Sequence, residues 1–105
     1  MATLLDLKTR VAEIQNAEDI KGADKLYKLD ISLGEEVRTI CAGIKQFYSK
    51  DDLKGKKIIV LTNLAPRKLR GIESQGMLLA ASSKDHKTVS LISPDQDMEP
   101  GSIVE

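Results

Sequence analysis

Tryptophan is missing from this 105-residue chain, and its aromatic side chains are only Tyr27, Phe47 and Tyr48. Sequence-tolerant binders of single strands stack successive bases on aromatic faces, a mode this composition supplies poorly. The single cysteine, Cys41, cannot close an internal disulfide, and the single histidine, His86, has no cysteine or carboxylate at a metal-ligand spacing. His86 lies in the polar turn KDHK and reads as a solvated loop residue. Cys41 occupies an alternating apolar position and reads as a buried core thiol rather than a nucleophile. Glycine-rich phosphate loops, GxSxG and HExxH are all absent, so no catalytic, metal or cofactor site is expected. No apolar run approaches the roughly 18 residues of a membrane span, and MATLLDLKTR lacks the cationic start and apolar middle of a signal peptide. These absences point to a cytoplasmic, non-catalytic protein.

What is present fits one compact domain over residues 1–105, long enough for one core and one binding face. The formal net charge is zero, yet the signs are unevenly placed. Between Arg38 and Arg70 stand nine cations and two acids, a local balance of +7 that the rest of the chain cancels. A basic middle between acidic ends is the footprint of a polyanion binder, although lysines near turns are also commonly just solvated.

Periodicity favours strands. YKLDISL alternates Tyr27, Leu29, Ile31 and Leu33 against polar residues, the pattern of a half-buried strand. A turn at Gly34 and Glu35 then leads into a partner in which Val37, Thr39 and Cys41 continue the alternation. Residues 6–14 alternate more weakly and read as a first strand, followed by a polar loop, NAEDIKGAD. IKQFYSKDDL places Ser49 ahead of two aspartates and reads as a short helical segment ended by Gly55. KKIIVLTNL is an uninterrupted apolar run rich in β-branched residues, expected as a central strand buried on both sides. GMLLAAS and KTVSLIS read as two further strands joined by SKDH, and SIVE as a last short one. Six or so short strands with one helical segment between the third and fourth favour an all-β OB-fold antiparallel barrel with a C-terminal hairpin extension over a sandwich.

The binding chemistry concentrates in NLAPRKLRGIESQGM. Pro66 fixes the start of a PRKLRG loop, Gly71 admits a backbone conformation denied to other residues, and Arg67, Lys68 and Arg70 are presented between them. Arginine forks suit phosphates, and Ser74 and Gln75 can reach a ribose hydroxyl or a base edge. Met77 is either an apolar platform under a base or core. With so few rings, recognition of a folded RNA by shape and phosphates suits the chain better than single-strand stacking.

Taken with GADKLYKLDISLG, EVRTICAGI and LKGKKIIVL, the run NLAPRKLRGIESQGMLLAA resembles, in order and over nearly the whole chain, the tRNA-binding domain family. That domain is found at the C-terminus of methionyl-tRNA synthetases, as a free-standing structure-specific tRNA-binding protein, and in endothelial monocyte-activating polypeptide II. The resemblance implies an OB-fold that binds tRNA by shape, often as a homodimer, and assists an aminoacyl-tRNA synthetase, most directly the methionyl enzyme. It is compatible with a stand-alone subunit or an excised domain. On this sequence it implicates Asn63, Arg67, Lys68, Arg70, Ser74, Gly76 and Met77, and adds Lys25 and Arg38 as positions near the binding face. IKGADKL stands where the family often has HPNADKL, Ala65 replaces a usual lysine, and CAGI replaces VSGI. Each lost cation should weaken phosphate binding modestly. A secretion-related chaperone also looks similar; it shares the dimeric barrel but takes unfolded polypeptide on apolar surface.

Overall fold

A computed structural model describes residues 8–105. β1 (Thr9–Ile20), β2 (Ala23–Ser32) and β3 (Val37–Ala42) form an antiparallel meander. β1 is long enough to serve two sheets' worth of partners: its first half pairs β4 (Lys57–Leu61), from Thr9↔Leu61 to Glu13↔Lys57, and its second half pairs β2, from Glu13↔Ser32 to Ile20↔Ala23. A strand that changes partner midway must coil, and two register shifts, at Ile14/Asn16 and Asp19/Ile20, supply the bend. The same irregularities hide it from a period-two reading. Buried positions run Ile14, Ala17, Ile20, three apart instead of two. Much of the expected polar loop NAEDIKGAD is therefore strand, turning only at Lys21 and Gly22, where Gly22 adopts φ 81°. The start of the expected first strand, residues 6 and 7, lies outside the described residues.

The core is filled by Ile14, Leu29, Ile31, Ile40, Leu53, Ile58 and Val60, all fully buried. Each such side chain contributes about 1.5–3 kcal/mol over an exposed position. β4 is buried on both sides, as its apolar run predicts. β3 differs from expectation by one residue of phase. Ile40 and Ala42 face the core, whereas Val37 is 61% exposed and Cys41 is only partly covered. Both faces of VRTICA carry an apolar residue, so alternation alone cannot choose; the bulkiest, Ile40, takes the core.

The expected helical segment is present as a turn over residues 44–48 followed by α1 (Lys50–Leu53). Ser49 caps α1 in a reciprocal capping box with Asp52, and Gly55, at φ 86°, follows it. Leu53 and Ile44 are buried in the core. Tyr27 Oη donates to the carbonyl of Tyr48 at 2.8 Å, and the Tyr48 hydroxyl accepts from Leu91 N at 3.0 Å. Asp19 on β1 fastens this segment from outside through Lys50 at 2.7 Å and Lys45 at 3.1 Å. The hydrogen bond from Lys50, then that from Lys45, holds the Asp19 carboxyl below its ordinary range, so this tie is present above the unfolded carboxylate pKa and is lost as pH falls through the folded one.

The remaining strands close the architecture. β7 (Met77–Leu78) pairs β4, giving the path β3-β2-β1-β4-β7, and β10 (Ile103–Val104) pairs the start of β1. The two ends of that path are joined by bonds outside a regular ladder. Gln75 N donates to Thr39 O at 2.8 Å, Thr39 N to Gln75 Oε1 at 3.1 Å, and Cys41 N to Ser74 Oγ at 2.9 Å. The result is the expected all-β, OB-fold type of antiparallel barrel, with β8 (Ala80–Ser82) and β9 (Val89–Leu91) as the added hairpin. GMLLAAS is two strands, not one. Leu79 N bonds Ile59 O while Leu79 O accepts from Ile92 N, so the chain passes from β4 to the outer hairpin at that residue. The basic loop and GIES turn are likewise a hairpin, β5 (Arg67–Leu69) and β6 (Ile72–Ser74).

Gly76 sits where the seam is tightest. A Cβ there would meet Leu61 O at 2.9 Å and Val60 Cγ1 at 3.2 Å, and the nearer atom is backbone. Gly76→Ala should therefore lower stability by about 1–3 kcal/mol, read as a reduced urea midpoint, because overpacked interiors respond on that scale. An unchanged midpoint would show that the seam yields.

Candidate nucleic-acid interface

The β5–β6 hairpin is registered Arg67↔Ser74, Lys68↔Glu73 and Leu69↔Ile72, leaving Arg70 and Gly71 as a two-residue turn. Both turn residues have positive φ, 52° and 82°, which matches the right-handed twist of a hairpin and is ordinarily met by Asn-Gly. An arginine in that conformation costs about 1–2 kcal/mol. Leu69 and Ile72 are half-buried, while Arg67, Lys68 and Arg70 are exposed. The cations thus project from a short β-ladder whose tip sits in an unfavourable backbone state.

Several residues singled out from the sequence lie at the hairpin's base and are occupied there. Ser74 is buried, its hydroxyl accepting from Cys41 N and donating to Gly76 O at 3.2 Å. Gln75 gives its side-chain oxygen to Thr39 N. Arg38 Nη1 donates to Thr62 O at 2.7 Å and Gln75 O at 3.2 Å, and Nη2 pairs Glu36 at 3.1 Å. Asn63 Oδ1 accepts from Lys8 N at 2.9 Å. Met77 has its side chain outward, 46% exposed, which removes the core alternative. Lys25 is exposed at the start of β2, at the opposite end of the β2–β3 ladder from Arg38.

Ion pairing sorts the basic middle of the chain. Arg38, Lys45, Lys50 and Lys57 are paired with Glu36, Asp19, Asp19 and Asp97, and Lys56 stands 5.9 Å from the centre of the Tyr48 ring. Among the described residues Arg67, Lys68 and Arg70 have no such partner. A larger groove of about 900 Å³ brings Lys8, Arg10 and Arg38 together, but Glu35, Glu36 and Glu99 line it as well and cancel its field.

Cys41 corrects a sequence expectation. It is a partly exposed residue of a small cleft beneath the hairpin, not a core thiol. Its neighbours there come from positions 64–77, more than twenty residues away, so no local pattern reveals the placement. Burial pushes the thiol above its ordinary range, with Lys28 opposing, which leaves it a weak nucleophile. His86 is exposed in its turn, and among the described residues no three His, Cys, Asp or Glu side chains are grouped to hold a metal. No helix among them is long and apolar enough to cross a membrane.

Residues 9–103 match the family described as "Putative tRNA binding domain". The chain is 52% identical over 96 residues to a methionine–tRNA ligase of Caldanaerobacter subterraneus subsp. tengcongensis, covering 91% of this chain and 15% of that enzyme. Among solved structures, a MetRS-related protein from Pyrococcus horikoshii superposes with a TM-score of 0.90 at 40% identity, covering 96% of this chain and 92% of that one. The CsaA chaperone protein from Picrophilus torridus superposes with a TM-score of 0.86 at 34% identity, each chain fully covered.

The strained tip gives a direct test of the local geometry. Arg70→Asn should raise stability by up to about 1 kcal/mol in urea unfolding, since asparagine tolerates the left-handed region far better than arginine. A loss of stability would mean that Arg70 makes contacts the folded chain depends on.

Proposed function

This chain belongs to the tRNA-binding domain family, and we propose that it acts as a single non-catalytic unit gripping folded tRNA by phosphates and shape, in service of an aminoacyl-tRNA synthetase. The methionyl enzyme is the partner its relatives suggest. The chain spans 15% of the ligase it matches at 52% identity, so that enzyme's catalytic activity is not carried over. One observation bears most of the weight: the hairpin cations lack carboxylate partners among the described residues while four other cations of the basic middle are paired. Arginines without carboxylate partners on a short β-ladder are ready phosphate ligands that lose no internal ion pair on binding.

In this reading Arg67, Lys68 and Arg70 contact phosphate, with Met77 beside them and Lys25 as an outlying contact. Arg38, Asn63, Ser74 and Gln75 act chiefly by fixing the hairpin's base. The setting is the cytoplasm, where a lone thiol and a translation role agree. The protein works as a homodimer; the exposed Ile103, 64% accessible on the short strand β10, favours a covered edge there. The full-length likeness to a chaperone structure supports a second reading, capture of unfolded polypeptide, which suppression of a client's light scattering would reveal.

Reversing Arg67, Lys68 and Arg70 together to glutamate should abolish most tRNA retention on filters while leaving the urea midpoint near that of the parent. Unchanged retention would remove the hairpin from the interface.

A further inference from the structure

The phosphate reading leaves one feature of the hairpin unused. Beneath β5 and β6 lies a cleft of about 70 Å³, with Leu64, Leu69, Met77, Arg67 and Cys41 in its lining. Leu64 and Met77 are large apolar residues, 36% and 46% exposed, and both line it. Holding two such side chains in water next to a cation cluster has no evident benefit to folding, and neither belongs to the buried core.

We infer that this cleft is a subsite for one unstacked nucleobase of the bound RNA, an inference that rests on the tRNA-binding reading. The occupant is indicated by the mixed chemistry of the place. Arg67 supplies a charge at the rim, with Lys68 and Arg70 on the same hairpin, while Leu64, Leu69 and Met77 supply an apolar slot. A nucleic acid carries one planar, largely apolar ring per anionic phosphate, which fits that alternation; an apolar peptide would leave the cations unanswered. The volume admits the edge of one ring and excludes a whole nucleoside. Methionine's flexible thioether chain adapts to a flat ring where a tryptophan or tyrosine is lacking. Arg67 can also offer its fork to the base edge, the geometry guanidinium groups use in base recognition.

Cys41 makes the proposal testable on the unmodified protein, because it is the chain's only cysteine and it lines the cleft. Its alkylation by N-ethylmaleimide would be timed alone, with saturating tRNA, with a blunt, fully paired RNA duplex at equal filter-measured occupancy, and with an unfolded polypeptide. The expected result is several-fold protection by tRNA, whose loops offer unpaired bases, and little by the duplex. Leu64→Ser with Met77→Ser should weaken tRNA binding about five- to tenfold, the lower range for losing one base contact, without altering the salt slope.

Filter-retained tRNA that leaves the alkylation rate unchanged would overturn the subsite while leaving phosphate binding intact. Equal protection by the duplex would overturn it too, by tracing the shielding to backbone. Protection by unfolded polypeptide alone would reassign the cleft to peptide side chains. If tRNA is not retained at all, the subsite falls together with the reading it rests on.

Discussion

The backbone N–H of Cys41 meets no carbonyl of a regular ladder on the side facing β6, and the hydroxyl of Ser74 accepts its hydrogen bond at 2.9 Å. With the paired contacts of Thr39 and Gln75, this bond draws β3 onto the segment that follows the basic hairpin and closes the barrel. A regular ladder does not fit here because the chain is leaving β6 for β7, so side chains substitute for missing carbonyls. Such substitutes matter more than their average worth of about 1 kcal/mol: deleting one strands a covered amide, which costs about 1–3 kcal/mol. Gly76 completes the seam by letting backbone come within a distance that a methyl group would forbid. The hairpin stands directly on this joint, so the closure of the barrel and the placement of the cations are one structural event.

Charge is partitioned along the same line. Away from the hairpin, several basic side chains tie elements together: Lys45 and Lys50 pin the helical segment to β1 through Asp19, and Lys57 reaches Asp97 and the carbonyl of Met98. Exposed pairs of this kind contribute little each, but they also cancel the field of the residues involved. The hairpin cations keep theirs. A formal charge of zero is therefore consistent with a locally positive surface: the hairpin carries three cations against the single acid Glu73, which stands opposite Lys68 without forming an ion pair.

Elements whose pattern is decided by neighbours in sequence were legible. The alternation of β2, the apolar run of β4 and the serine cap of α1 all correspond to observed structure. Legibility fails where a longer-range contact or a local exception governs. β1 is disguised by two register shifts, β3 by apolar residues on both faces, and the β5–β6 hairpin by an arginine where its turn would ordinarily hold asparagine. The cluster of cations was visible as a cluster; the commitments of Arg38, Ser74 and Gln75 were not, because their partners lie up to 37 residues away. Serine and glutamine in a basic stretch look alike whether they face a ligand or a neighbouring strand, and only the fold distinguishes the two.

The most direct test of the account is a filter-binding titration of the protein with unfractionated tRNA across a series of salt concentrations, with single-stranded DNA of similar length as control. Three phosphate contacts predict a log–log slope of about −2 to −3, and tighter retention of tRNA than of DNA. A slope near zero, or equal retention of both polymers, would contradict recognition of a folded RNA through its phosphates.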